Sequence, residues 1–211
     1  MVRFLIVRHA QSLGNAGGIF VGQNDIDLSP LGHSQAEITG KYLKNKNIDV
    51  IYSSDLKRAY HTAEHIADRC GAELIRTEKL REINAGLWQG KTFDYLEKNF
   101  ENYSVWLENI GLAVCDGGES VKQLQMRISG ELAKIAAENE GKTVCIVTHA
   151  TPIRVMECFW RSLPIEKAAL VPWVSNCSVT SVIYGSERQK LEYAGFDRHL
   201  DEYKSSFPPN V

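Results

Sequence analysis

The stretch RFLIVRHAQSLGN near the start sets Arg8 and His9 side by side where an apolar run, Phe4-Leu5-Ile6-Val7, comes to an end. Two later runs end in a related way. Ser53-Ser54-Asp55 and then Arg58 follow the second, and Thr148-His149-Ala150 follows Thr143–Val147. Three strand ends thereby offer two arginines and two histidines, a coincidence that core packing does not explain. Two fixed guanidiniums are planar forks of donors and match the oxygens of a tetrahedral anion such as phosphate. An imidazole in such a cradle can attack phosphorus if the attacking nitrogen is neutral, and neighbouring positive charge disfavours the imidazolium. Its other ring nitrogen needs an acceptor to fix the tautomer, which the residues alone do not identify. A leaving alkoxide also needs a proton. Glu82, in KLREINAGLWQGKT, is the candidate donor, with Glu78 and Glu119 as competitors. The small residues of SLGNAGG let backbone approach a ligand, and Asn15 among them can donate a side-chain bond. No GxxxxGK[ST] is present, so the cradle expected here is not a P-loop.

These groups need a scaffold that gathers strand ends. Strands are expected over Arg3–Val7, Asp49–Tyr52, Glu73–Arg76, Thr143–Thr148 and Ser178–Tyr184, with Gln189–Tyr193 as an edge. The clearest are short, β-branched and apolar throughout, as strands covered on both faces are. Between them lie helical segments. Ser29-Pro30 opens one that runs to about Leu43, with Pro at the first helical position. Others span Leu56–Cys70, Glu119–Glu138 and Thr151–Arg161. The alternation predicts a single α/β domain, a three-layer sandwich with a mostly parallel central sheet. In such sheets ligands bind beyond the carboxyl ends of the strands, where the arginines and histidines fall. The helix after Leu56 also points its N-terminal N–H groups at that rim. Residues 84–118 break the rhythm with Trp88, Phe93, Tyr95, Phe100, Tyr103 and Trp106, and are expected to form a helical or loop insertion acting as a lid. Its aromatics are expected to pack within the lid, some touching substrate, which would suit an apolar leaving group.

Composition narrows the partners. The net charge of −2 over 211 residues gives no general pull toward nucleic acid or anionic membrane. No apolar run approaches the roughly 20 residues of a membrane span, and the N-terminus reads as a strand rather than a secretory signal. The five cysteines are scattered, odd in number and never in CxxC spacing, which fits buried thiols in a reducing cytoplasm. HTAEH, from His61 to His65, matches the HxxEH zinc motif. However, Ala59, Ala63, Ile66 and Cys70 form the apolar stripe of that helix, so His61, Glu64 and His65 are expected on its solvent face and no metal is expected. His33 and His199 are expected at the surface. DGGES, from Asp116 to Ser120, reads as a turn into a capped helix.

Four segments together resemble the histidine phosphatase superfamily, also called phosphoglycerate mutase-like. LIVRHAQSLGN resembles its RHG signature, SSDLKRAYHTAE its second arginine motif, LREINAGLWQG its acid-donor motif and VTHATPIR its second histidine motif, in the family's order across residues 3–154. The resemblance implies that His9 is the nucleophile, that Arg8, Arg58 and His149 hold the phosphoryl oxygens, and that Glu82 is the proton donor. It also implies that Ser12, Asn15, Gly22 and the Ala150 backbone line the pocket, and that Glu119 or Ser120 contacts substrate. RHG here reads Arg8-His9-Ala10, a mild change unless that position needs a positive φ. Gln11 stands where many members have an acid, which would shift substrate preference.

The expected activity is metal-independent, cofactor-free hydrolysis of a small phosphorylated metabolite through phosphohistidine, in the cytoplasm. Neither nucleic acid nor membrane is expected as a partner, and a homodimer stays open. LREINAGLWQGKT and DGGES also resemble members acting on nucleotide-like or sugar phosphates, including α-ribazole phosphatases. One rival is a phosphoglycerate mutase using the same phosphohistidine. It would need extra cations over the substrate carboxylate, and residues 84–118 hold only Lys91 and Lys98 with more acids than that. A second rival is a non-catalytic regulatory or binding protein on the same fold, against which every proposed catalytic group is present.

Overall fold

The first strand, β1 (Val2–Arg8), is apolar on both faces because both are covered. Phe4 and Ile6 join one buried cluster, while Leu5 and Val7 join another on the opposite side of the sheet. The protein, seen here as a computed structural model, is described over residues 1–185 and 188–205. After β1 come α1 (Leu13–Ala16), α2 (Pro30–Leu43), β2 (Val50–Ser54), α3 (Lys57–Cys70) and β3 (Glu73–Thr77). Next in the chain are α4 (Phe93–Asn99), α5 (Glu101–Asn109), α6 (Val121–Glu138), β4 (Thr143–Thr148), α7 (Ala150–Trp160), β5 (Val179–Tyr184) and β6 (Gln189–Phe196). The six strands form one sheet in the order β3-β2-β4-β1-β5-β6. β3, β2, β4 and β1 are parallel, and β5 runs antiparallel to both neighbours.

Leu43 of α2 and Ala59, Ala63 and Ile66 of α3 cover one face of the sheet. Leu124, Ile128 and Leu132 of α6, with Ile153 and Met156 of α7, cover the other. The result is the three-layer sandwich that the alternation predicts. The helix starts are chemically specified. Ser29 accepts from Gly32 N at 3.0 Å ahead of Pro30, and Ser120 forms a reciprocal capping box with Gln123. A side chain at Gly32 would collide with the Gln11 carbonyl, so that glycine lets α2 dock on the loop after β1.

The boundaries move in ways that matter for the site. β1 and β2 run on to Arg8 and Ser54. α7 opens at Ala150 rather than Thr151, with His149 as its cap residue. The segment 84–118 holds α4, α5 and short 3-10 turns, and its buried Trp88, Leu96, Tyr103 and Ile110 are continuous with the core on the α6–α7 face. All five cysteines are free, four of them buried and Cys70 partly so.

Candidate active site

The sheet register gathers the two histidines. β1 and β4 pair Arg8 with Thr148, and the ladder gains one more bond, from His9 N to Thr148 O at 2.9 Å. The imidazoles of His9 and His149 consequently lie side by side, ring centroids 5.0 Å apart. His9 Nδ1 is 2.7 Å from the Ala10 carbonyl oxygen. A carbonyl only accepts, so Nδ1 donates its proton there and Nε2 keeps its lone pair. Asn176 Nδ2 donates to His9 O at 2.9 Å, and Thr62 Oγ1 accepts from Ala10 N at 3.0 Å, so the backbone carrying the ring is tied on both sides. Ala10 takes no positive φ and is buried in a cluster with Leu28, Ala36, Cys177 and Leu200, so its methyl group is accommodated. Burial, followed by the charges of Arg58 and then Arg8, holds the His9 pKa well below the ordinary histidine range. The ring is neutral at physiological pH.

Arg58 sits in the first turn of α3 and is 1% exposed. Its Nη1 and Nη2 donate to Asn24 O at 2.8 Å and Gly22 O at 2.7 Å, which fixes the plane of the fork. Gly22 has φ +53°, and a Cβ there would lie 2.7 Å from the Gln89 side chain. Arg8 Nη1 donates to Val174 O at 2.6 Å. Burial lowers both guanidiniums to about 10, which leaves them charged at neutral pH.

Glu82 reaches the same place from the loop after β3. Its Oε1 accepts from Ile83 N at 2.9 Å and its Oε2 from Thr151 N, in the first turn of α7, at 3.4 Å. The loop itself is held by a residue that sequence reasoning missed. Arg127 of α6 donates to the carbonyls of Lys79 at 2.9 Å, Arg81 at 3.0 Å and Glu82 at 3.1 Å. Glu119 holds Arg127 in turn through a bidentate pair, at 2.8 Å to Nε and 2.9 Å to Nη2. Only the Glu119–Arg127 charge complementarity is visible in the sequence; the carbonyl targets carry no sequence signal.

Arg8, His9, Asn15, Gly22, Arg58, Glu82 and Ala150 line one cavity. Ser12 and His149 are not in its wall. Ser12 caps α1: its Oγ accepts from Asn15 N at 3.1 Å and donates to Asn15 Oδ1 at 3.0 Å, so it positions Asn15 rather than meeting a ligand. His149 is fully buried, with Nε2 at 2.8 Å from Ser54 Oγ. Ser54 Oγ also accepts from Leu56 N at 3.4 Å. His149 Nδ1 has no hydrogen-bond partner. Burial, then the Arg58 charge, pushes this ring's pKa well down as well.

Other expectations are corrected. The Gln11 side chain accepts from Ser29 Oγ at 2.7 Å and is outside the cavity wall. Glu119 is taken by Arg127, and Ser120 caps α6. Glu78 is exposed in a turn. His61, Glu64 and His65 are half-buried rather than free in solvent, because α2 and the loop before it pack against α3. His61 Nδ1 meets Asp27 Oδ1 at 2.6 Å, and His65 Nε2 meets His33 Nδ1 at 3.2 Å. Among the described residues no three His, Cys, Asp or Glu side chains converge as a metal site needs. His199 is half-buried rather than free at the surface: it stacks on Tyr42 at 4.6 Å, and burial lowers its pKa to about 4.

A family model, the histidine phosphatase superfamily (branch 1), matches residues 4–196. The chain belongs to that superfamily. Phosphoserine phosphatase 1 of Hydrogenobacter thermophilus is 34% identical over 194 residues, 90% of this chain and 90% of the relative. Phosphoglycerate mutase-like protein 4 of Arabidopsis thaliana is 32% identical over 203 residues, 94% of this chain and 86% of its own length. Among solved structures, Bacillus stearothermophilus YhfR superposes with a TM-score of 0.90 at 25% identity, covering 95% of this chain and 100% of that one. The six-stranded α/β sandwich is thus a histidine phosphatase fold, and phosphatases of phosphorylated small molecules are among the chain's superfamily relatives. No helix among the described residues is long and apolar enough to cross a membrane.

Proposed function

We propose that this protein is a metal-independent phosphomonoesterase that works through a phosphohistidine on His9. The observation that carries the reading is the neutral His9 ring, with Nδ1–H committed to the Ala10 carbonyl, set in one cavity with Arg8, Arg58 and Glu82. The substrate phosphoryl group enters between the two guanidiniums. His9 Nε2 attacks phosphorus, and the bond to the alcohol oxygen breaks as protonated Glu82 gives that oxygen its proton. Glu82 carboxylate then takes a proton from water, the water oxygen bonds to phosphorus, and the N–P electron pair returns to Nε2 as phosphate leaves. Arg8 and Arg58 hold the equatorial oxygens, supplying the charge stabilisation that a metal gives elsewhere, and the His149 ring backs His9 from behind the cavity wall. The mutase alternative is less well supported: among the described lining residues the arginines are Arg8 and Arg58, with no lysine, and Lys91 and Lys98 are outside the wall.

The test is hydrolysis of p-nitrophenyl phosphate with EDTA present. Wild-type turnover that survives EDTA, and a His9→Ala loss on the order of 10⁴-fold or more in kcat, are expected. Activity abolished by EDTA, or retained by His9→Ala, overturns the mechanism.

A further inference from the structure

The cavity changes character with distance from His9. Its charged lining groups, Arg8, Arg58 and Glu82, and the neutral His9 ring all serve the phosphoryl group and its chemistry in the proposed mechanism. The remainder of the wall is largely apolar and carries five aromatic rings: Phe20, Phe93, Tyr103, Trp106 and Trp173. Phe20 meets Trp106 edge-on at 5.0 Å, and Trp106 stacks with Trp173 at 6.4 Å. Arg154 lies over the Trp173 ring at 4.2 Å, but its guanidinium donates to the carbonyls of Ala168 at 3.0 Å and Ala169 at 3.1 Å and is not in the cavity wall. It fixes Trp173 in place without presenting charge to a ligand. Phe93, Trp106 and Trp173 are only half-buried, so fixed ring surface is left facing the cavity.

A carboxylate on the alcohol half of a substrate would meet this wall without a partner, and burying an unpaired charge is costly. A ring would instead gain stacking and edge contacts, with Asn15 and Thr151 as neutral polar neighbours. We infer that the wall is a subsite for an uncharged aromatic alcohol, so that the substrates are phosphate monoesters of such alcohols rather than phosphorylated amino acids or hydroxy acids. This rests on the proposed phosphatase activity. It separates the chain from what the name of its phosphoserine phosphatase relative would imply.

The test uses three alkyl esters that share a similar leaving oxygen: 2-phenylethyl phosphate, ethyl phosphate and O-phosphoserine. Wild-type kcat/KM is expected to be about tenfold to a hundredfold higher for the phenylethyl ester than for either other, the range that burying one phenyl group supplies. Trp173→Ala is expected to shrink that ratio severalfold; if the variant does not fold, the wild-type ratio decides alone. Calorimetric binding to His9→Ala reads the subsite without turnover. Tighter binding of the phenylethyl ester with no wild-type hydrolysis of any ester would refute the phosphatase reading and leave the subsite standing. Hydrolysis of all three, with phosphoserine or ethyl phosphate equal to or better than the phenylethyl ester, would overturn the subsite and leave the phosphatase.

Discussion

The proposed phosphoryl cradle and the aromatic wall face one cavity and are built by opposite means. The cradle is buried polar machinery whose positions are dictated by the sheet: Arg8 and His9 end β1, His149 comes directly after β4, and Arg58 opens the helix after β2. Each of its groups is aimed by a backbone oxygen or a hydroxyl, Ala10 O for His9, Gly22 O for Arg58 and Ser54 Oγ for His149. The wall comes largely from outside the sheet, from the loop after α1, the 84–118 segment and the stretch before β5, and its rings are placed by one another. The difference teaches where chemistry and specificity are separable. Strand ends cannot move without breaking the register, whereas a ring outside the sheet, such as Trp173 on the stretch before β5, can be exchanged with the cradle left whole.

The sharpest way to break the cradle side is Arg58→Gln. Removing one fixed donor to the developing charge should cost about 10²–10³ in kcat. A second readout ties the loss to His9. Burial and the two guanidiniums depress the His9 pKa, and only the neutral ring attacks, so the wild-type acid limb of kcat/KM set by this group lies well below 6.5. With the Arg58 charge gone, the imidazolium is less disfavoured and that limb should move to higher pH. A rate loss with no such movement would mean that Arg58 acts on the substrate alone.

A smaller effect is expected from Arg127→Met, which leaves the cavity lining intact but releases the loop bearing Glu82. Mispositioning a proton donor should lower kcat about 10–100-fold for ethyl phosphate. p-Nitrophenyl phosphate should suffer much less, because its leaving group scarcely needs the proton. Equal losses on both esters would reduce Arg127 to a structural role.

Much of the cradle was legible in the sequence because its members are side chains at strand ends. Apolar β-branched runs such as Val144-Cys145-Ile146-Val147 declare the strands, and the polar residues at the end of each run declare the rim. The backbone partners that aim these groups were not legible, since Ala10 O, Asn24 O and the Lys79 carbonyl have no side-chain identity to read. Ser12 and Gln11 misled for a related reason: a hydroxyl or amide near a motif can cap a helix as readily as it can bind a ligand. His199 was misread because its burial depends on Tyr42 and Phe196, and Tyr42 is distant in the chain. The aromatics of 84–118 were visible as a group, but only the fold brings them to Trp173 across one cavity.

The measurement that tests the central claim most directly is to quench the enzyme during turnover and locate the phosphoryl group by mass spectrometry and phosphorus NMR. The geometry predicts one acid-labile phosphoryl group on Nε2 of His9, because Nδ1 is held by the Ala10 carbonyl, and none in His9→Ala. A phosphoryl group on Nδ1 or on His149, or turnover with no covalent intermediate, would contradict the account.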